Sequence, residues 1–363
     1  MNRFVICLLA LVLGASAAKA EEQSTRPPIG PVLENMLEGY IRPGYAAFEA
    51  AASDLETATR TLCRAPSALN LKSARDSFRA LAGRWARMEW LRLGPVMSDN
   101  RLERILFFPD RKGTGRKQVM RAIASGNEAV TSVDSLAELS VAMQGLGALE
   151  YLLFGNGSDA LAIGPRFSHR CAFAKAAATN LVNLSGEIIA GWQDGSALVT
   201  AFLAPGPDNL LFRTGQEALN LLLGQMIHGL EAVRDIRLSA FLDKQNAARD
   251  RPKSALFWCS GITLRSVVAN LEGLQALFDE SGLEIVSTAM APRLADTIRF
   301  EFGQAIRTAA SLDAPVSELL ANPEAREKLV YLDYAIKIII DRLDQEFAQA
   351  GGLAVGFSFG DGD

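Results

Sequence analysis

The 363-residue sequence predicts an all-α protein made of two helical-bundle halves. Three observations carry that prediction. Apolar residues recur at three- and four-residue spacing through helix-length windows. Alanine and leucine are abundant, and runs of β-branched residues are few. Near the middle, Leu203-Ala204-Pro205-Gly206-Pro207-Asp208 cannot continue a helix, because two prolines and a glycine interrupt the ladder. This connector divides residues 31–203 from residues 208–350, and the length suits two domains of ordinary size.

Residues 1–20 read as a secretory signal. Arg3 supplies the positive start, Phe4 to Leu13 the apolar core, and Ala18-Lys19-Ala20 a small-x-small cleavage site. The apolar core is too short to span a bilayer comfortably, so a periplasmic protein without a stable membrane span is expected after cleavage. Residues 21–30, with Pro27-Pro28, read as a flexible segment. Helical pattern starts near Pro31, is expected to break at Arg42-Pro43-Gly44, and resumes from Tyr45 to Cys63. The Ala65-Pro66-Ser67 break precedes a helix from Ala68 to Leu91, closed by Gly94-Pro95. Helices follow at Arg116 to Ser125, Ser135 to Phe154 and Ser168 to Gln193. The second half reads as helices at Asn209 to Asn246, Ser254 to Glu280, Ile285 to Ser311 and Glu324 to Ala348. Residues 351–363 form a Gly/Phe-rich tail with an acidic end.

The net charge is −4, and losing Arg3 and Lys19 with the leader makes it −6. A nucleic-acid partner, which demands a basic face, is not expected. Cys63, Cys171 and Cys259 remain after processing. In an oxidising compartment an odd count suggests one disulfide and one buried thiol. Three pairings are open; Cys63 with Cys171 is favoured because both sit at expected helix ends. No Cys-x-x-Cys spacing suggests zinc.

Between Leu139 and Ser158 the only charge is Glu150, set among Leu146, Leu149, Leu153 and Phe154 at helical spacing. A buried carboxylate must be paired, protonated or metal-bound. The bland reading is a salt bridge to a core arginine. The alternative is a ligand site.

This segment, Gln144-Gly145-Leu146-Gly147-Ala148-Leu149-Glu150 running on to Phe154-Gly155, resembles the imelysin family of bacterial envelope proteins. The family hallmark is Gly-x-His-x-x-Glu followed by an apolar run ending in Phe-Gly. Gly145 and Glu150 match; Gly147 stands where the family has histidine. Trp85, Leu93-Gly94-Pro95-Val96, Phe107-Phe108-Pro109-Asp110, Gly356-Phe357-Ser358 and Asp361-Gly362-Asp363 extend the resemblance in order along the chain. The resemblance implies iron-regulated envelope function, with envelope iron-uptake components as partners, and in some members peptidase activity. Without the histidine, a metal or peptidase role for this motif lacks one of its groups.

Gly147 to Glu150 has a counterpart 81 residues on, His228 to Glu231, which raises an internal repeat as an alternative to chance similarity. His228 and Glu231 lie three apart, on one helix face, and could give two ligands to iron or another divalent metal. Their bland reading is a core histidine beside a glutamate paired with Arg234 or Arg237. His169 reads as a solvated or capping residue. No His-Glu-x-x-His occurs, and two histidines in all cannot build a three-histidine zinc site. A serine triad would have to use one of the same two histidines. Arg101, Arg104 and Arg111, interspersed with Asp99, Glu103 and Asp110, form a charged connection whose arginines could reach Glu150 or an anionic ligand.

The reading is therefore a non-catalytic periplasmic component of iron or metal uptake, with its site between the halves. Glu150, Gly145, Gly147, Arg101 and Asp110 are candidate ligand residues, and His228 and Glu231 are candidate metal ligands. A metallopeptidase with degenerate ligands is the alternative, and a structural envelope adaptor the next.

Overall fold

Pro43 lies inside the first long helix without breaking it. The computed structural model describes residues 29–354 apart from residue 289; the leader, most of the flexible segment and the tail motifs from Gly356 lie outside these residues. Helix α1 has three contiguous segments, Gly30–Asn35, a π-turn at Met36–Ile41, and Arg42–Arg64. Arg42 N–H bonds to the Leu37 carbonyl five residues back. The widened turn accommodates a ring that has no N–H to give, so the break expected at Arg42-Pro43-Gly44 does not form. Gly44 faces the Met88 side chain, where a Cβ would overlap the sulfur.

Helix α2 (Ala68–Met88) starts at Ser67, whose hydroxyl accepts from Asn70 N–H at 3.1 Å. Helices α3 (Thr114–Ser125), α4 (Gly145–Phe154) and α5 (His169–Gly191) complete the first half. α1 packs between α2 and α5, and α4 rests on α5, α2 and α3. The helix expected over Ser135 to Phe154 is divided into Val133–Ala137, a single turn at Val141–Met143, and α4. Gly145 causes the division. Its φ is +62°, and a Cβ there would run into the carbonyl oxygens of Arg104 and Ile105.

The connector 204–208 is an ordered turn, with Asn209 donating to the carbonyls of Ala201 (2.6 Å) and Ala204 (2.8 Å). Beyond it come α6 (Gly215–Glu231), extended by a π-turn at Ala232–Leu238, then α7 (Thr263–Ser281), α8 (Leu294–Ala310) and α9 (Pro323–Asp341), itself extended by a π-turn. Two expected starts move. Residues 255–262 form a loop ahead of α7 rather than its first turns, with Gly261 at φ +71°. Leu283–Val286 is a separate short turn, and α8 begins only at Leu294. No strand occurs among the described residues. The halves meet where α2 packs on α7, and one apolar core runs through both.

Cys63, at the end of α1, is bonded to Cys171 in the first turn of α5, and Cys259 is free. The bond closes a loop of sequence separation 108. Replacing both cysteines by serine should lower unfolding free energy by about 4 to 5 kcal/mol, chiefly by freeing the unfolded chain. Urea denaturation under oxidising conditions measures this, and unchanged stability would contradict it.

Candidate functional site

Glu150 sits on α4 between apolar neighbours and is 8% exposed. Among the described residues no arginine holds it. Its Oε1 accepts from Ser260 N–H at 2.9 Å and from the Ser260 hydroxyl at 2.8 Å. Ser260 belongs to the loop before α7, so the carboxylate ties the first half to the second. Phe257, at φ +58°, turns the chain so that its carbonyl also accepts from the Ser260 hydroxyl. Burial pushes the Glu150 carboxyl up to about 7, against the opposing hydrogen bonds from Ser260 and the Cys259 backbone. Of the three arginines expected to reach it, Arg111 lines the same cavity, and the other two are engaged elsewhere. Arg101 pairs with Glu187 (2.7 Å) and Asp99 (3.0 Å), and Arg104 bonds Gln144 (3.1 Å) and Asn180 (3.3 Å).

Glu150 opens onto a cavity of about 680 Å³. Gly147 and Asp110 also line it; Gly145 and Arg101 do not. A Cβ on Gly147 would meet nothing within 4 Å. Asp110 caps α3, accepting from the N–H groups of Thr114 (2.6 Å) and Gly115 (3.0 Å). Across the cavity stand Asp235 and Ile236 from the π-turn after α6, and the loop carrying Arg251, Lys253, Phe257, Trp258 and Cys259. The Cys259 thiol is pushed up to about 12 by burial and by Glu150.

His228 and Glu231 line a second cavity of about 440 Å³, which shares Leu106, Phe108, Pro109, Asp235 and Ile236 with the first. The structure brings this pair together, His228 Nδ1 lying 3.1 Å from Glu231 Oε2. Glu150 does not join them, because this wall separates the cavities. Arg234 bonds Asp235 and also feels the charge of Glu231, while Arg237 bonds Glu89. Trp85 Nε1, Asn270 Oδ1 and Arg237 Nη1, on residues lining this cavity, are buried without hydrogen-bond partners among the described residues. His169 Nε2 lies 3.0 Å from the Asn127 carbonyl, away from both cavities. Among the described residues no group of three or more His, Cys, Asp or Glu could hold a metal ion.

Residues 41–343 match the family model described as Imelysin, peptidase M75. The chain belongs to the imelysin family. Iron-regulated protein A from Synechococcus elongatus is 22% identical over 326 residues, 86% of this chain and 84% of its own length. An imelysin-like protein from Psychrobacter arcticum superposes with a TM-score of 0.75 at 19% identity, covering 91% of this chain and 97% of that one. A putative iron-regulated protein A precursor from Parabacteroides distasonis gives 0.71 at 14% identity, covering 88% and 95%. At these identities the two solved structures establish the fold.

In this imelysin the hallmark reads Gly145-Leu146-Gly147-Ala148-Leu149-Glu150, and the position that would carry histidine faces the larger cavity. Sequence reading missed Ser260, because a helix was expected through it. Gly261 was the available signal. One string, Gly356-Phe357-Ser358-Phe359-Gly360, spells Gly-x-Ser-x-Gly. It lies outside the described residues, which contain no strand to lead into a hydrolase elbow.

Because the partners of Glu150 are neutral, its ionised form is the costly one to bury. Below pH 4.5 the carboxyl is protonated in folded and unfolded chains alike, and burial carries no ionisation penalty. Between 4.5 and about 7 the unfolded chain releases its proton first, so stability falls; above about 7 the deficit is constant. Glu150→Gln should remove this dependence, gaining roughly 3 kcal/mol relative to wild type between pH 4.5 and pH 8. Parallel stability profiles for the two proteins would show that the carboxyl titrates normally.

Proposed function

We propose that this imelysin-family chain is an exported, non-catalytic binding component of iron uptake, working in the periplasm with other envelope iron-uptake components. Its ligand site is the cleft between the halves. The observation that carries this reading is the 680 Å³ cavity, walled by Leu106 to Tyr151 from one side of the connector and Asp235 to Cys259 from the other. Its size suits a small ligand. Its chemistry suits binding more than turnover. Among the described residues no histidine lines it, and its one thiol is held protonated by burial. The signal pattern at residues 1–20 and the Cys63–Cys171 bond both agree with an oxidising compartment. Among the described residues no helix is long and apolar enough to cross a membrane.

The test combines growth with a blocked cleft. A strain lacking the protein should grow more slowly than its parent in iron-limited medium and equally in iron-replete medium. Gly147→Trp should fill the cavity, fold normally by circular dichroism, and fail to restore growth. Full restoration by Gly147→Trp would remove the cleft from the function. Peptide hydrolysis by the purified protein, lost in His228→Ala, would favour the metallopeptidase instead. Equal growth of both strains in both media would leave a structural adaptor.

A further inference from the structure

The larger cavity has a one-sided electrostatic character that its acidic chain does not predict. Six cationic side chains line it: Arg111, Lys112, Arg116, Lys117, Arg251 and Lys253. None forms an ion pair among the described residues, although arginines elsewhere pair repeatedly, Arg42, Arg299 and Arg342 with two or more acids each. The three acids in the same wall are already committed. Asp110 spends both oxygens on the first N–H groups of α3. Asp235 is held by both arms of Arg234, at 2.8 and 2.7 Å. Glu150 is bound by Ser260 at the floor. A concave wall of one sign focuses field into the cavity and raises the local concentration of the opposite charge.

The walls between these cations are aromatic and apolar. Phe107, Phe108, Pro109 and Leu256 contribute, and Trp258 has Arg116 and Lys253 at 5.9 and 5.8 Å from its ring centre. A bare metal cation suits none of this. It would meet six like charges, and at Gly147 it would find no imidazole.

We infer that the cavity binds a small organic polyanion, with several carboxylate or phosphate groups on a compact body, through Arg111, Arg116, Arg251 and Lys253. This deepens the binding reading above and rests on it. Arginine forks match such oxygens in pairs, and a ligand bearing several anionic groups can engage opposite rims at once. Iron would enter this site only inside such an anion, as cargo, with the chelator's oxygens as its ligands.

Calorimetry on the full mature protein decides between the sources, with four probes: citrate, ferric citrate, inorganic pyrophosphate, and ferrous ion alone under anaerobic conditions. At least one polyanion should bind, at least tenfold more weakly in 500 mM than in 50 mM salt. Arg111→Gln with Arg251→Gln should weaken it a further tenfold or more, with an unchanged melting temperature; these exposed arginines carry no packing. Ferrous ion alone should give no heat. Binding of ferric citrate but not citrate assigns the metal complex as ligand; equal binding assigns the free anion. Silence from all three polyanions, or binding indifferent to the arginine pair, overturns the inference. If that happens while Gly147→Trp still abolishes iron-limited growth, the cleft keeps its function and only its ligand class is wrong. If Gly147→Trp also grows normally, both readings fall.

Discussion

The joint at the C-terminal end of α2 is what the rest of the molecule depends on. A helix leaves its last carbonyls without partners, and burying that end requires replacements. Here they come from three other parts of the chain. Asn270 on α7 donates to the Ala86 carbonyl at 2.6 Å, Trp90 donates to that of Arg87 at 2.8 Å, and Tyr40 from α1 donates to the same oxygen. Glu89, just beyond, takes Asn270 and Arg237. Gly273 lets α7 approach so closely that a Cβ would strike the Arg87 backbone. Asn270 and Arg237 thereby lock the second half to the first at one place.

Beside this joint the halves cannot close on each other, and the two adjoining cavities lie along the opening. Glu150 spans the larger one from α4 to the Ser260 loop. Its partners are a hydroxyl and backbone amides, which stabilise charge less than a guanidinium would. Burial therefore dominates, and the carboxyl is held near neutrality. A floor group that is easily protonated adds little negative charge beneath a rim of six cations. The smaller cavity differs, with His228 against Glu231 and an ion pair between Glu89 and Arg237 in its wall.

Family membership and chemistry separate at Gly147. The imelysin fold and its hallmark glutamate are present, while the histidine position holds no side chain. Loss of an imidazole removes a donor and adds volume in one change. With no side chain at Gly147 the cavity is open at that point, and six cationic side chains stand in its lining.

Much of the fold was legible without coordinates. Helical periodicity, the Pro205–Pro207 connector and the breaks at Ala65-Pro66-Ser67 depend on local pattern, and local pattern lies in the chain; the choice of Cys63 with Cys171 among three pairings rests on the fold, which joins residues 108 apart. Pro43 was misread because a π-turn, stabilised by packing of Tyr40 and Ile41, absorbs what propensity alone would break. Gly145 was read as part of a helix, yet the carbonyls that demand its positive φ come from residues 104 and 105. Glu150 could be identified as a buried carboxylate from its neighbours' spacing, but Ser260 lies 110 residues away and only the closed core brings it within 3 Å. The cationic rim has the same origin. Residues 111–117 and 251–253 are unremarkable charged stretches of sequence, and their sum acquires a sign only where tertiary packing sets them around one concavity, with the nearby acids already engaged.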